Sequence, residues 1–185
     1  MLNRHIVRRF LISATLFSVF VAGINTLYQT QAQARMAQEI ESQLIAAEKA
    51  KKKMVEAKLN REITCLARNI YFESASEPVK GKIAVAQVTM NRVKSGQFPS
   101  TVCGVVHQKT YYEGLTVCQF SWVCEGNLKI RAPHLYDESL RIARRVMLDG
   151  VRLPELQGAK YFHATYVQPG WNKQPKARIG NHIFY

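Results

Sequence analysis

From Arg35 to Glu62 the chain contains neither glycine nor proline and is rich in Ala, Glu, Lys and Gln. These residues lose little rotamer freedom in a helix, and nothing in the run offers a turn or a break. An α-helix is the one regular structure open to it, a rod of about 40 Å at ~1.5 Å per residue. Met36, Ile40, Leu44, Met54, Val55 and Leu59 form a broken apolar stripe along it. The stripe is too irregular for a coiled-coil seam, which needs a sustained heptad pattern. Residues 35–62 therefore read as a solvated helical linker.

Residues 1–34 have a different character. Arg4, Arg8 and Arg9 precede an uncharged stretch from Phe10 to Tyr28. Its length is close to the ~20 residues of a membrane-spanning helix. Lys and Arg tend to stay cytoplasmic, which sends the rest of the chain outward. Ala32 and Ala34 also satisfy a small-residue cleavage pattern. Two outcomes are open. An uncleaved anchor gives a single-pass inner-membrane protein with its remainder on the periplasmic or extracytoplasmic side. Cleavage after Ala34 gives a secreted one. Both export the remainder, where Cys65, Cys103, Cys118 and Cys124 can form disulfides. Four cysteines allow three complete pairings, and their spacing does not choose among them.

Residues 63–185 form the globular part. Ile63, Leu66, Ala67, Ile70 and Tyr71 recur at helical spacing, and Pro78 stops that helix. A second helix runs through "KGKIAVAQVTMNRVK" to Gly96, and "FPSTVCGVVHQK" reads as a turn and a short helix. "TYYEGLTVCQFSWVCEGN" has β-favouring residues and two turn glycines, so it reads as a hairpin or an irregular loop. "PHLYDESLRIARRVMLDG" is an amphipathic helix, with Asp137 a candidate N-cap and Gly150 at the C-terminal turn. The tail mixes strand-like aromatics with turns at Pro169-Gly170 and Gly180. The expected class is α+β, mainly α.

The net charge of +13 and pI near 9.8 point to a polyanionic partner: nucleic acid, anionic lipid or an anionic wall polymer. No basic block is interleaved with stacking aromatics, so nucleic acid is not expected. Residues 63–185 alone carry 16 Lys and Arg against 8 Asp and Glu. The histidines show no HxH or HExxH spacing and the cysteines no CxxC, so no metal and no cofactor is expected.

In this basic chain, "NIYFESASE" places Glu73 directly after Ile70, Tyr71 and Phe72, with Glu77 four positions on. Apolar surroundings raise a carboxyl pKa, which lets it hold a proton near neutral pH. Glu73 is then a candidate general acid, the alternative being a surface residue at a helix end. Glu77 is a candidate second catalytic carboxylate, sharing the Glu73 face if the helix continues to Glu77; Pro78 opposes that, and the alternative is support of the active-site loop. The other acids of this part, Glu113, Glu125, Asp137, Glu138, Asp149 and Glu155, show no obvious nucleophile or water-activating base. Gln119, Ser121 and Trp122 offer an amide, a hydroxyl and a ring of the kind that sugar sites use, and Tyr161 and His163 suit a facing wall. Phe120 and Trp122 also suit a core.

The stretches "CLARNIYFESASEPVKGKIAVAQVTMNRV", "FPSTVCGVVHQ", "CQFSWVC" and "RIGNHIFY" occur in one continuous order. Together they closely resemble the SleB/CwlJ-type cell wall hydrolases. The resemblance covers roughly residues 63–185 and implies a lysozyme-like, mainly helical domain that cuts peptidoglycan glycan strands between MurNAc and GlcNAc. It makes Glu73 the catalytic acid, matching the first Glu of the family's E-A-R-G-E stretch. Ser74, Ala75 and Ser76 depart from that pattern, while Glu77 keeps the second Glu. The scarcity of other acids, with the family, favours a lytic transglycosylase giving 1,6-anhydro-MurNAc ends. A hydrolytic muramidase or glucosaminidase and a non-catalytic wall-binding module are the alternatives.

Overall fold

The computed structural model describes the backbone of residues 4–126 and 128–185, and side chains from Leu16 onward with Asn127 excepted. The chain divides into two compact units, residues 1–55 and 56–185. The first is helical from Arg4, as the opening part of α1 (Arg4–Ser74), and its described side chains are exposed. Among the described residues no helix is long and apolar enough to cross a membrane. The membrane helix expected over Phe10–Tyr28 lies only partly within the described residues, because the side chains of residues 10–15 fall outside them. The side chains of Arg4, Arg8 and Arg9 also lie outside them.

The second unit is built around α2 (Val79–Lys94). Every residue from Gly81 to Thr89 is buried, because α2 is covered on both sides. On one side Ile83 and Ala86 join Leu66 and Ile70 of α1, Val105 of α3 (Val102–Val106) and Ile142 and Val146 of α4 (Pro133–Leu148). On the other, Val85 and Val88 pack with Leu156, Ile179 and Phe184. The last two come from an antiparallel sheet of β3 (Phe162–Ala164), β5 (His182–Phe184) and β4 (Ala177–Ile179), in that spatial order. A helix buried on both sides must give its polar groups partners. The Gln87 amide accepts from Leu153 N–H at 2.6 Å and donates to Leu153 O at 3.0 Å. Asn91 donates to Leu156 O and Ala159 O.

The exposed hairpin pairs β1 (Lys109–Tyr112) with β2 (Leu115–Cys118). Glu113 and Gly114 both take positive φ, the backbone that a tight two-residue turn demands. The expected C-terminal turn at Gly150 is present, with φ +70. Asp137 is not an N-cap: α4 starts a turn earlier at Pro133, whose fixed φ suits a first helical position. Two disulfides form, Cys65–Cys103 between α1 and α3, and Cys118–Cys124 across the segment that follows β2.

Candidate active site

Glu73 sits in the last turn of α1, one residue before the helix ends. Ser74 turns its hydroxyl back onto Ile70 O at 2.7 Å, and the chain then bends to Pro78. This leaves the Glu73 carboxyl half-buried where two hollows meet. The larger, about 700 Å³, is lined among others by Tyr71, Ser121, Trp122, Glu125, His163 and His182. The smaller, about 300 Å³, is lined by Arg92, Gln119, Phe120, Ser121, Tyr161 and Trp171. Glu73, Ser121 and Phe162 line both. Burial pushes the Glu73 pKa up to about 7; the Arg92 guanidinium opposes this and the Glu125 carboxylate adds to it. At neutral pH the group therefore exists in both protonation states, as a carboxyl that gives and regains a proton must.

Six of the seven residues singled out in the sequence line these hollows: Glu73, Gln119, Ser121, Trp122, Tyr161 and His163. Trp122 is wall more than platform. It is buried, its indole N–H donates to Asn69 Oδ1 at 3.1 Å, and its ring stacks on Phe72 at 4.6 Å. His163 is fixed at both nitrogens, with Nδ1 2.9 Å from Ala164 O and Nε2 2.8 Å from Tyr185 Oη. A carbonyl only accepts, so Nδ1 carries the hydrogen, and in the neutral ring Nε2 accepts from the Tyr185 hydroxyl.

Glu77 lines neither hollow. It is buried, and its two oxygens accept from Asn181 N–H and from Asn181 Nδ2, both at 3.0 Å. The α1–α2 turn is thereby tied to the β4–β5 turn. Gly180 is required there: its φ is +58, and a Cβ would lie 1.9 Å from Glu77 Oε2. The helix ends at Ser74, so Glu77 does not share the α1 face of Glu73, in keeping with the break that Pro78 imposes.

Three further residues of the cleft were not singled out. Arg92 is buried on α2, donates from Nε to Lys160 O at 2.7 Å, and lies within 5.3 Å of the Phe98 and Phe120 ring centres. A charged residue on an otherwise buried helix was its signal. Glu125 is an exposed carboxylate on the wall of the larger hollow, next to Cys124 of the loop disulfide, and nothing local in the sequence marks it. His182 faces the same hollow, and burial holds its pKa down, favouring the neutral ring. Among the described residues no group of His, Cys, Asp and Glu has the layout of a metal site.

One carboxyl poised near neutrality in an open cleft with aromatic, amide and hydroxyl walls is chemically suited to proton transfer on an extended polar ligand. A family model described as cell wall hydrolase matches residues 76–185, and the chain belongs to that family. The spore cortex-lytic enzyme of Bacillus subtilis (strain 168) is 33% identical over 129 residues, 68% of this chain and 37% of that protein. A spore cortex-lytic enzyme of Bacillus cereus is 30% identical over 127 residues, 66% of this chain and 43% of that protein. The chain thus spans less than half the length of these curated relatives. Among solved structures, the catalytic domain of the Bacillus cereus SleB protein aligns with 28% identity and a TM-score of 0.49, covering 68% of this chain and 89% of that one. The family match starts at Ser76, so it includes Glu77 and leaves Glu73 just outside.

Proposed function

We propose that this protein cleaves peptidoglycan glycan strands between MurNAc and GlcNAc, with Glu73 as general acid and then general base, as a lytic transglycosylase. The observation that carries the reading is Glu73 itself, half-buried, titrating near 7 and placed where two hollows meet. A strand lying across the junction has sugars on both sides of the acid. The Glu73 carboxyl gives its proton to the glycosidic oxygen, the C1–O bond breaks, and GlcNAc leaves with a free hydroxyl. The resulting carboxylate takes the proton of the MurNAc C6 hydroxyl as that oxygen bonds to C1. The product is a 1,6-anhydro ring, and no water is consumed.

Glu125 favours a second reading. It is a second carboxylate on the wall of the larger hollow, a place from which a hydrolase activates water. Digestion of purified sacculi followed by mass spectrometry separates the two. Anhydro ends from the wild type, and none from Glu73→Gln, support the transglycosylase. Reducing ends that disappear in Glu125→Gln establish the hydrolase. Binding without cleavage leaves a wall-binding module.

Export is part of the same proposal. Two disulfides suit an oxidising compartment. Leu16, Phe17, Phe20 and Leu27 are exposed apolar residues that suit a membrane tether. Fractionation of cells, with the mass of the recovered protein, distinguishes a retained anchor from cleavage after Ala34.

A further inference from the structure

Beyond the smaller hollow the groove continues. Tyr161 lines that hollow and also a third one of about 430 Å³, formed with Gln97, Lys160, Lys173, Gln174 and Tyr185. No Asp or Glu side chain lines this third hollow. Lys160 gives Nζ–H to Gln97 Oε1 at 2.7 Å, and Lys173 holds its ammonium 4.6 Å from the centre of the Tyr161 ring. Neither ammonium has an ion-pair partner among the described residues. An amide oxygen and a ring face orient these two cations without neutralising them, so their charge stays available to an incoming anion.

We propose that the hollow between Lys160 and Lys173 is a carboxylate subsite that takes the stem peptide of the glycan strand. The inference rests on the glycan-cleaving reading, because it needs the strand seated over Glu73. Stem peptides branch from the lactyl group of the muramic acid and end in free carboxylates. A strand crossing the junction at Glu73 sends such a branch along the groove, past Tyr161, to the two ammoniums. The chain then reads the peptide as well as the sugars, and peptide-bearing wall is its preferred substrate.

The test uses the full chain in a Glu73→Gln background, to hold the wall intact, and measures co-sedimentation with three sacculus preparations. One is untreated, one has its carboxyls amidated, and one is stripped of peptides by an amidase, which leaves lactyl carboxylates. Lys160→Gln with Lys173→Gln weakens binding to untreated sacculi on the order of tenfold and leaves the other two unchanged. Lys109→Gln with Arg144→Gln removes the same charge from exposed positions outside the groove and leaves all three unchanged. An equal loss on amidated sacculi, or an equal loss in the control pair, overturns the subsite in favour of general attraction. A loss that persists on stripped strands overturns the peptide assignment and points to the lactyl carboxylate, and no loss anywhere overturns both. Binding is read without turnover. Absence of cleavage by the wild type therefore sinks the catalytic reading and leaves this result standing.

Discussion

Glu73→Gln should stabilise the catalytic unit, by an amount that depends on pH in a fixed direction. The folded carboxyl titrates near 7, raised from 4.5. Below pH 4.5 both folded and unfolded chains hold the proton, and the group contributes nothing to the difference. Between 4.5 and 7 the folded state binds a proton that the unfolded state has lost, so stability falls as pH rises. Above 7 the full cost of ionising the half-buried group has been incurred. Each pH unit between the two titrations costs ~1.4 kcal/mol, so the whole interval costs about 3 kcal/mol, less whatever solvent reaches through the open cleft. Glutamine is close to the protonated form in shape and carries no charge to desolvate. The variant should match the wild type near pH 4 and exceed it by about 2–3 kcal/mol at pH 8. Urea unfolding across that range, followed by tryptophan fluorescence, reads the relevant unit, because both tryptophans, Trp122 and Trp171, lie in it. Curves for the two proteins that stay parallel from pH 4 to 8 would refute the burial argument, and with it the reason to cast Glu73 as the acid. In the active wild type the same titration makes cleavage fall about tenfold per pH unit well above 7.

Arg92 opposes the rise in the Glu73 pKa, so Arg92→Met should move the alkaline limb of the pH–rate profile to higher pH, provided circular dichroism shows the fold retained. Glu77→Gln places an amide against the Asn181 donors and should cost about 2–3 kcal/mol in urea unfolding, while cleavage remains measurable where Glu73→Gln abolishes it. Gly180→Ala forces a methyl onto Glu77 Oε2 in a left-handed backbone and should cost at least as much by the same assay. Replacing Cys65 and Cys103 by Ser opens a loop with a sequence separation of 38 and should cost about 4 kcal/mol; the same change at Cys118 and Cys124, separated by 6, should cost about 2. Thermal melts rank the two pairs.

Much of the helical framework was legible in the sequence because local periodicity and punctuation encode it. Pro78 and Gly96 bracket α2, Gly150 closes α4, and the glycine- and proline-free run from Arg35 to Glu62 is helix throughout. Glu73 was legible for a related reason, since three apolar or aromatic neighbours announce a carboxyl kept from water. The rest depends on contacts that join distant parts of the chain. Glu77 meets Asn181 across 104 positions, and no window of residues near Glu77 contains that information. The approach of Arg92 and Glu125 to Glu73, and the choice of Cys65–Cys103 over its rivals, are likewise set by how α1, α2 and the loop after β2 pack. Asp137 misled for the opposite reason. It carries a good capping side chain, but Pro133 upstream supplies a stronger helix start.

The cleft is held from both sides, and the two clamps differ in kind. On one wall the Glu77–Asn181 contacts fix the sheet that carries Phe162, His163 and His182 to the turn directly after Glu73. On the other, the Cys118–Cys124 bond closes the segment carrying Gln119, Ser121 and Trp122, and Trp122 is pinned in turn to Asn69 on the acid's own helix. Each clamp ends within one turn of helix or one loop of Glu73. A general acid acts only with its proton aimed at the leaving oxygen, and small displacements of the walls are costly in rate. Covalent and charge-assisted links so close to the acid fit a site whose geometry is set before the strand arrives. The two glutamates differ in this respect. In the proposed reaction Glu73 stays free of strong partners to exchange its proton, whereas Glu77, with both oxygens committed to Asn181, would hold the frame for that exchange.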